Sequence, residues 1–146
     1  MAKIKASVMI LRPVEQVLAV AWDPQKRYLW LPEKIDHLPL APGESEDGSR
    51  IRSRVHGWAG LTLEITQECQ EVVPDRQYAF NTRESHGWFT AREQWDYEPV
   101  PDGTRVTVQH EVAWHGWLKL AGPVFIPAAR KKVKNDLVRL MKLVEG

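Results

Sequence analysis

PVFIPAARKKVKNDLVRLMKLVEG, residues 123–146, decides how the rest of the chain is read. Ile126, Ala129, Val133, Leu137, Leu140, Met141 and Val144 recur three and four apart, which sets an apolar stripe along one side of a 3.6-residue period. Arg130, Lys131, Lys132, Lys134, Asn135, Arg139 and Lys142 fall between them, so a basic, solvated side is expected opposite. Pro127 belongs in the first turn, where its missing N–H costs nothing. Pro123 falls in the lead-in or in a shorter kinked helix beginning near Gly116. The spacing predicts a helix over 128–144, roughly 26 Å long at about 1.5 Å per residue, whose stripe must cover a sheet.

Upstream of it the period changes to two. In 104–114, Val106, Val108, His110, Val112 and Trp114 share one face. In 88–98 the matching face holds Phe89, Ala91, Glu93, Trp95 and Tyr97, and Pro101-Asp102-Gly103 between the two runs is a hairpin signal. Tyr78, Phe80 and Thr82 mark a strand over 77–83, ended by Ser85-His86-Gly87. Leu61, Leu63, Ile65, Gln67 and Cys69 mark another over 61–72, ended by Pro74-Asp75. Ile51, Ser53 and Val55 alternate with Arg50, Arg52 and Arg54, a row that fits either a solvated sheet face or a phosphate contact. Residues 56–60, HGWAG, read as a turn or irregular link.

At the other end, 3–11 alternates as a strand with Ile4, Ala6, Val8 and Ile10 on one side. Pro13 then opens a helix over 14–22, and Asp23-Pro24 opens a short second one over 25–30. Residues 31–48 are rich in proline, glycine and acid, with an extended piece expected around 36–38. Six strands, two short helices after the first, and a closing helix make an α+β fold, read as one domain over 1–146.

Composition narrows the class. The hydrophobic fraction is 43% and the charged fraction 27%, as in water-soluble globular chains. No apolar run approaches the roughly 20 residues of a membrane span, and the N-terminus lacks a secretory h-region. Cys69 is the sole cysteine, which excludes an internal disulfide and favours a reducing, cytoplasmic setting. Seven tryptophans point to bulky packing or to an aromatic-lined hollow.

Several phrases then resemble the helix-grip fold of the START-like (SRPBCC) superfamily, within it the polyketide cyclase/dehydrase-like group. They are the strand and helix of 8–17 through Pro13; Trp22-Asp23-Pro24 with Tyr28 and Trp30; the hairpin from Glu98-Pro99 to Gly103-Thr104-Arg105-Val106-Thr107; and Trp117-Leu118 with Gly122 before the helix ending Leu140-Met141-Lys142-Leu143-Val144-Glu145. The resemblance covers nearly the whole chain. It implies a curved antiparallel sheet of seven strands gripping the last helix around an internal hydrophobic cavity. The seventh strand would come from 31–47 or from a break in a long strand.

Within such a cavity the strand faces supply Ser53, Leu63, Ile65, Gln67, Tyr78, Phe80, Phe89, Trp95, Tyr97, Val108 and Trp114 as ligand-binding candidates, with Cys69 and Thr82 beside them. Trp22, Tyr28, Trp30, Trp117, Val133, Leu137 and Met141 would close it from the helix side. A two-residue loop at Pro101-Asp102 makes paired numbers sum to 203 and sets Glu93 opposite His110, Cβ atoms about 4.5–5.5 Å apart. A carboxylate beside an imidazole can act as base and acid, or can simply be a mutually satisfied polar pair.

The functions expected are binding of a small hydrophobic molecule (aromatic, lipid or polyketide-like), cyclase or dehydratase action on a polyketide-like carbonyl compound through Glu93 and His110, or an interaction module using the basic helix face. Whether there is turnover stays open. No cofactor is expected. The scattered His37, His56, His86 and His115 show no metal-ligand spacing, so no metal is expected either. A nucleic-acid partner is not expected, contact with a membrane would be weak and peripheral, and the chain would be a monomer or homodimer.

Overall fold

The computed structural model describes residues 2–22, 26–30, 34–38, 50–58, 61–116, 118–121, 124 and 126–146. In chain order the elements are β1 (Ala2–Ile10), α1 (Val14–Ala21), α2 (Arg27–Trp30), β2 (Lys34–Leu38), β3 (Arg50–Trp58), β4 (Leu61–Val73), β5 (Gln77–Glu84), β6 (Phe89–Val100), β7 (Gly103–Trp114), α3 (Leu118–Ala121) and α4 (Ile126–Glu145). The seven strands form one antiparallel sheet in the order β1-β7-β6-β5-β4-β3-β2. Tight turns join β4 to β7 into a meander, and β1 returns to pair with β7.

The expected six strands become seven because β2 forms within 31–47, paired along β3 from Lys34↔His56 to Leu38↔Arg52. The link expected at 56–60 is a correction. β3 runs on through Trp58, and a register shift between His56 and Trp58 absorbs the irregularity without ending the strand. Asp75, at φ 56°, and Gly87, at φ 76°, hold the left-handed positions of the two turns that flank β5. The acidic loop with Glu44, Glu46 and Asp47, and Asp23-Pro24, lie outside the described residues.

α4 has 20 residues and is therefore about 30 Å long, with Pro127 in its first turn. It packs on β1, and its Leu137 and Leu140 enter a core made with Ile10, Val14, Val17, Trp30, Phe80, Trp95, Tyr97, Val106 and Val108. The basic residues Arg130, Lys131, Lys134, Arg139 and Lys142 are exposed. Asp136 is the exception to the amphipathic reading: it is 7% exposed, on the buried side, and receives Lys132 Nζ at 2.6 Å and Arg139 Nη1 at 3.2 Å.

One corner ties the ends of the chain together. Arg12 Nη2 donates to the Glu145 carbonyl oxygen at 2.7 Å, and the Leu11 N–H donates to Glu145 Oε2 at 3.1 Å. Thr104, fully buried, donates its hydroxyl to the Arg12 carbonyl at 2.8 Å. Beside it the backbone of Gly103 approaches β1 so closely that a Cβ there would overlap the carbonyl oxygen of Ile10. No helix among the described residues is long and apolar enough to cross a membrane.

Candidate functional site

The β6–β7 hairpin builds the centre of the site. Its two-residue loop pairs Val100 with Gly103 and carries that register back to Glu93↔His110. Both side chains point to the face that α4 covers, and Glu93 Oε1 lies 3.1 Å from His110 Nε2. Trp95 is on the same face two residues along and directs its indole N–H to the same Oε1 at 3.4 Å. The pair is mostly shielded, with side-chain exposures of 15% for Glu93 and 21% for His110. Burial alone would push the His110 pKa down. The charge and hydrogen bond of Glu93, with the charge of Asp136 on α4, outweigh it and hold the imidazole above its ordinary value.

The inner face is graded along the strands. Toward the α1 end, Trp95, Tyr97, Val106 and Val108 are buried, and aromatic rings stack over them. Trp22 lies on Phe80 with centroids 4.7 Å apart and planes within 10°, and on Tyr78 at 4.2 Å. Trp30 meets Trp95 edge-on at 6.0 Å. Toward the other end, Ile65, Gln67, Ala91, Val112, Phe89 and Trp114 are half-exposed although they face the same way. Glu93 and His110 therefore stand where closed packing gives way to half-exposed side chains.

The anticipated site residues fall into three groups. Trp22, Trp30, Tyr78, Phe80, Trp95, Tyr97, Val108 and Leu137 pack together, with Val133 and Met141 against them. Phe89 and Trp114 pair edge-on at 5.8 Å beyond the Glu93–His110 row. Ser53 and Ile65 are register partners on β3 and β4, Leu63 is buried on β4, and Gln67 donates to Thr82 Oγ1 at 3.3 Å. Trp117 and the side chains of Tyr28 and Cys69 lie outside the described residues.

Three indole N–H groups are buried without an acceptor among the described residues, those of Trp22, Trp30 and Trp114. A buried donor left unmatched is costly, so each is a place where a bound oxygen atom would be favoured. Sequence reading missed Asp136, although its spacing from Val133, Leu137 and Leu140 puts it on the apolar stripe. It also missed Glu84, which continues the inward alternation of Tyr78, Phe80 and Thr82. The Glu84 side chain is fully buried and accepts from the His86 and Trp88 backbone N–H groups at 2.8 and 3.1 Å. It also meets His86 Nδ1 at 2.7 Å.

The family described as polyketide cyclase/dehydrase and lipid transport matches residues 1–145. Among solved structures, a conserved protein from Geobacillus kaustophilus is similar at 17% identity and a TM-score of 0.75, covering 98% of this chain and 95% of that one. A protein from Thermus thermophilus is 20% identical at a TM-score of 0.71, covering 98% and 97%. One from Chromobacterium violaceum is 17% identical at 0.71, covering 99% and 97%. At these identities the likeness is one of fold, the helix grip of seven strands and a long last helix. No curated protein matches the chain.

Proposed function

Because the chain belongs to the polyketide cyclase/dehydrase and lipid transport family, we propose that it binds one small hydrophobic molecule between the inner face of the sheet and α4. The observation that carries this reading is the set of buried indole donors at Trp22, Trp30 and Trp114, which lack acceptors among the described residues. The ligand would be a lipid-like, aromatic or polyketide-like molecule bearing carbonyl or ether oxygens, with its apolar body toward Phe89, Ile65 and Trp114. Native mass spectrometry of protein purified from its own host tests this. A stoichiometric hydrophobic adduct is expected, and repeated preparations with no adduct and no quenching of tryptophan fluorescence by added long-chain ketones would rule it out.

A second reading is favoured by the Glu93–His110 contact of 3.1 Å. In a cyclisation, the Glu93 carboxylate would take a proton from the carbon between two carbonyls. The resulting carbanion would attack a second carbonyl carbon, whose oxygen would receive the proton of the His110 imidazolium. Loss of water would follow: the now neutral His110 imidazole would take the proton from the carbon beside the new hydroxyl, and a C=C bond would form. The hydroxyl would leave as water with the proton carried by Glu93, which returns both groups to their starting states. Turnover of an aromatic-forming poly-β-ketone is then expected to fall about 100-fold or more in Glu93→Ala and His110→Ala. Equal rates in wild type and both variants would remove the acid–base role while leaving the binding role untouched.

A further inference from the structure

The opposite face of the same strands carries a concavity. It is a groove of about 430 Å³ lined by Arg50, Arg83 and Arg92, by Thr66, Asn81 and Thr90, and by the carboxylates of Glu68 and Glu111. Cross-strand pairing explains its charge. One row reads Arg50↔Glu68↔Asn81↔Arg92↔Glu111, and the next reads Arg52↔Thr66↔Arg83↔Thr90↔Ala113, two cations with no anion between them.

On a merely solvated sheet face, opposite charges settle against each other, and elsewhere on this face they do. Arg52 and Arg54 share Glu64 at 3.7 and 3.0 Å, and Glu111 reaches the other way, to Lys3 at 3.7 Å. Among the described residues no carboxylate comes within ion-pair reach of Arg50, Arg83 or Arg92.

Arg83 lies directly across from Thr90, and Arg92 is two residues further along the same face of β6. That makes the two arginines diagonal neighbours, Cβ atoms about 7–8 Å apart, close enough for both guanidinium groups to close on one tetrahedral anion. The Thr66 and Thr90 hydroxyls and the Asn81 amide add neutral donors around the same point, a set that suits the several acceptor oxygens of a phosphate better than the two of a carboxylate. Arg50 stands three strand spacings from Arg92, roughly 14 Å away, so one monophosphate cannot engage it as well.

We propose that this outer groove binds a small organic phosphate with a second anionic group, the phosphate held by Arg83 and Arg92 and the second anion by Arg50. The site is separate from the inner face and stands whether or not the ligand reading of that face holds.

Isothermal titration of the full chain with fructose 1,6-bisphosphate and with inorganic phosphate, at low salt, tests it. Saturable one-to-one binding of the bisphosphate is expected, with inorganic phosphate weaker. Arg83→Gln and Arg92→Gln should each weaken the bisphosphate about tenfold or more, the loss of one charge-assisted contact. Arg105→Gln, which removes an exposed arginine paired with Glu98, should leave it unchanged. Amide shifts on binding should centre on Thr66, Arg83 and Thr90. Absence of saturable binding, wild-type affinity in the Arg83→Gln and Arg92→Gln variants, or shifts centred on Glu93 and His110 would each overturn the proposal.

Discussion

Glu93 on β6 and His110 on β7 meet at 3.1 Å because a two-residue loop at the far end of their hairpin sets the parity of every pair between them. Burial opposes protonation of His110, yet Glu93, and with it Asp136, keep the proton bound above the ordinary histidine value of about 6.5. A group whose pKa is raised by folding stabilises the native state fully below its unfolded value, and that contribution is lost as pH rises through the folded value. Urea midpoints of wild type and His110→Gln should therefore differ most near pH 5 to 6. The gap should narrow toward alkaline pH. A gap that widened would contradict the pairing.

The partners of His110 can be ranked by its ring titration in NMR. Glu93→Gln removes the larger favourable charge and should lower the midpoint most, and Asp136→Asn should lower it by less. An unchanged midpoint in Glu93→Gln would mean that the carboxylate is not what holds the proton.

Glu84 behaves in the opposite sense. Burial pushes its pKa up, but hydrogen bonds from His86 and from the Trp88 and His86 backbone bring it below the ordinary carboxylate value. Its stabilisation is present above the unfolded value and lost as pH falls through the folded one. Glu84→Leu strands the turn's backbone donors and should cost about 1–3 kcal/mol at neutral pH, less in acid. Urea denaturation at several pH values reads both effects.

Gly103→Ala should destabilise by about 1–3 kcal/mol or more, because its Cβ meets the Ile10 backbone and not a movable side-chain tip. Asp102→Ala, at an exposed position of the same turn, should stay within about 0.5 kcal/mol. Equal midpoints for the two variants would show that β1 yields to the methyl group.

Trp114→Phe deletes a buried donor that has no acceptor among the described residues while keeping most of the ring. Stability should change by less than about 1 kcal/mol, while affinity for a long-chain ketone followed by fluorescence should drop severalfold. A large loss of stability with unchanged affinity would place the indole N–H in packing alone.

Much of this is legible in the sequence where the signal is local. Pro74-Asp75, Ser85-His86-Gly87 and Pro101-Asp102-Gly103 are turns for reasons contained in those residues, and the alternation between them fixes which side chains share a face. β2 is less legible: five residues between proline- and acid-rich stretches become a strand only when β3 offers them an edge. Gly57 suggests a break that the sheet absorbs as a register shift. In the site, the meeting of Glu93 and His110 follows from the two-residue loop, which fixes the register of the hairpin. Asp136 shares the spacing of the apolar stripe, but that Lys132 and Arg139 reach it there from neighbouring turns shows only in the folded helix.

The clasp between Arg12 and Glu145 joins positions 133 apart, and every strand precedes α4 in the chain. On the ribosome every strand of the sheet is synthesised before the segment that covers its oily side. Until then the strands that have emerged have their hydrophobic side facing water or a chaperone, and their final compaction waits on α4.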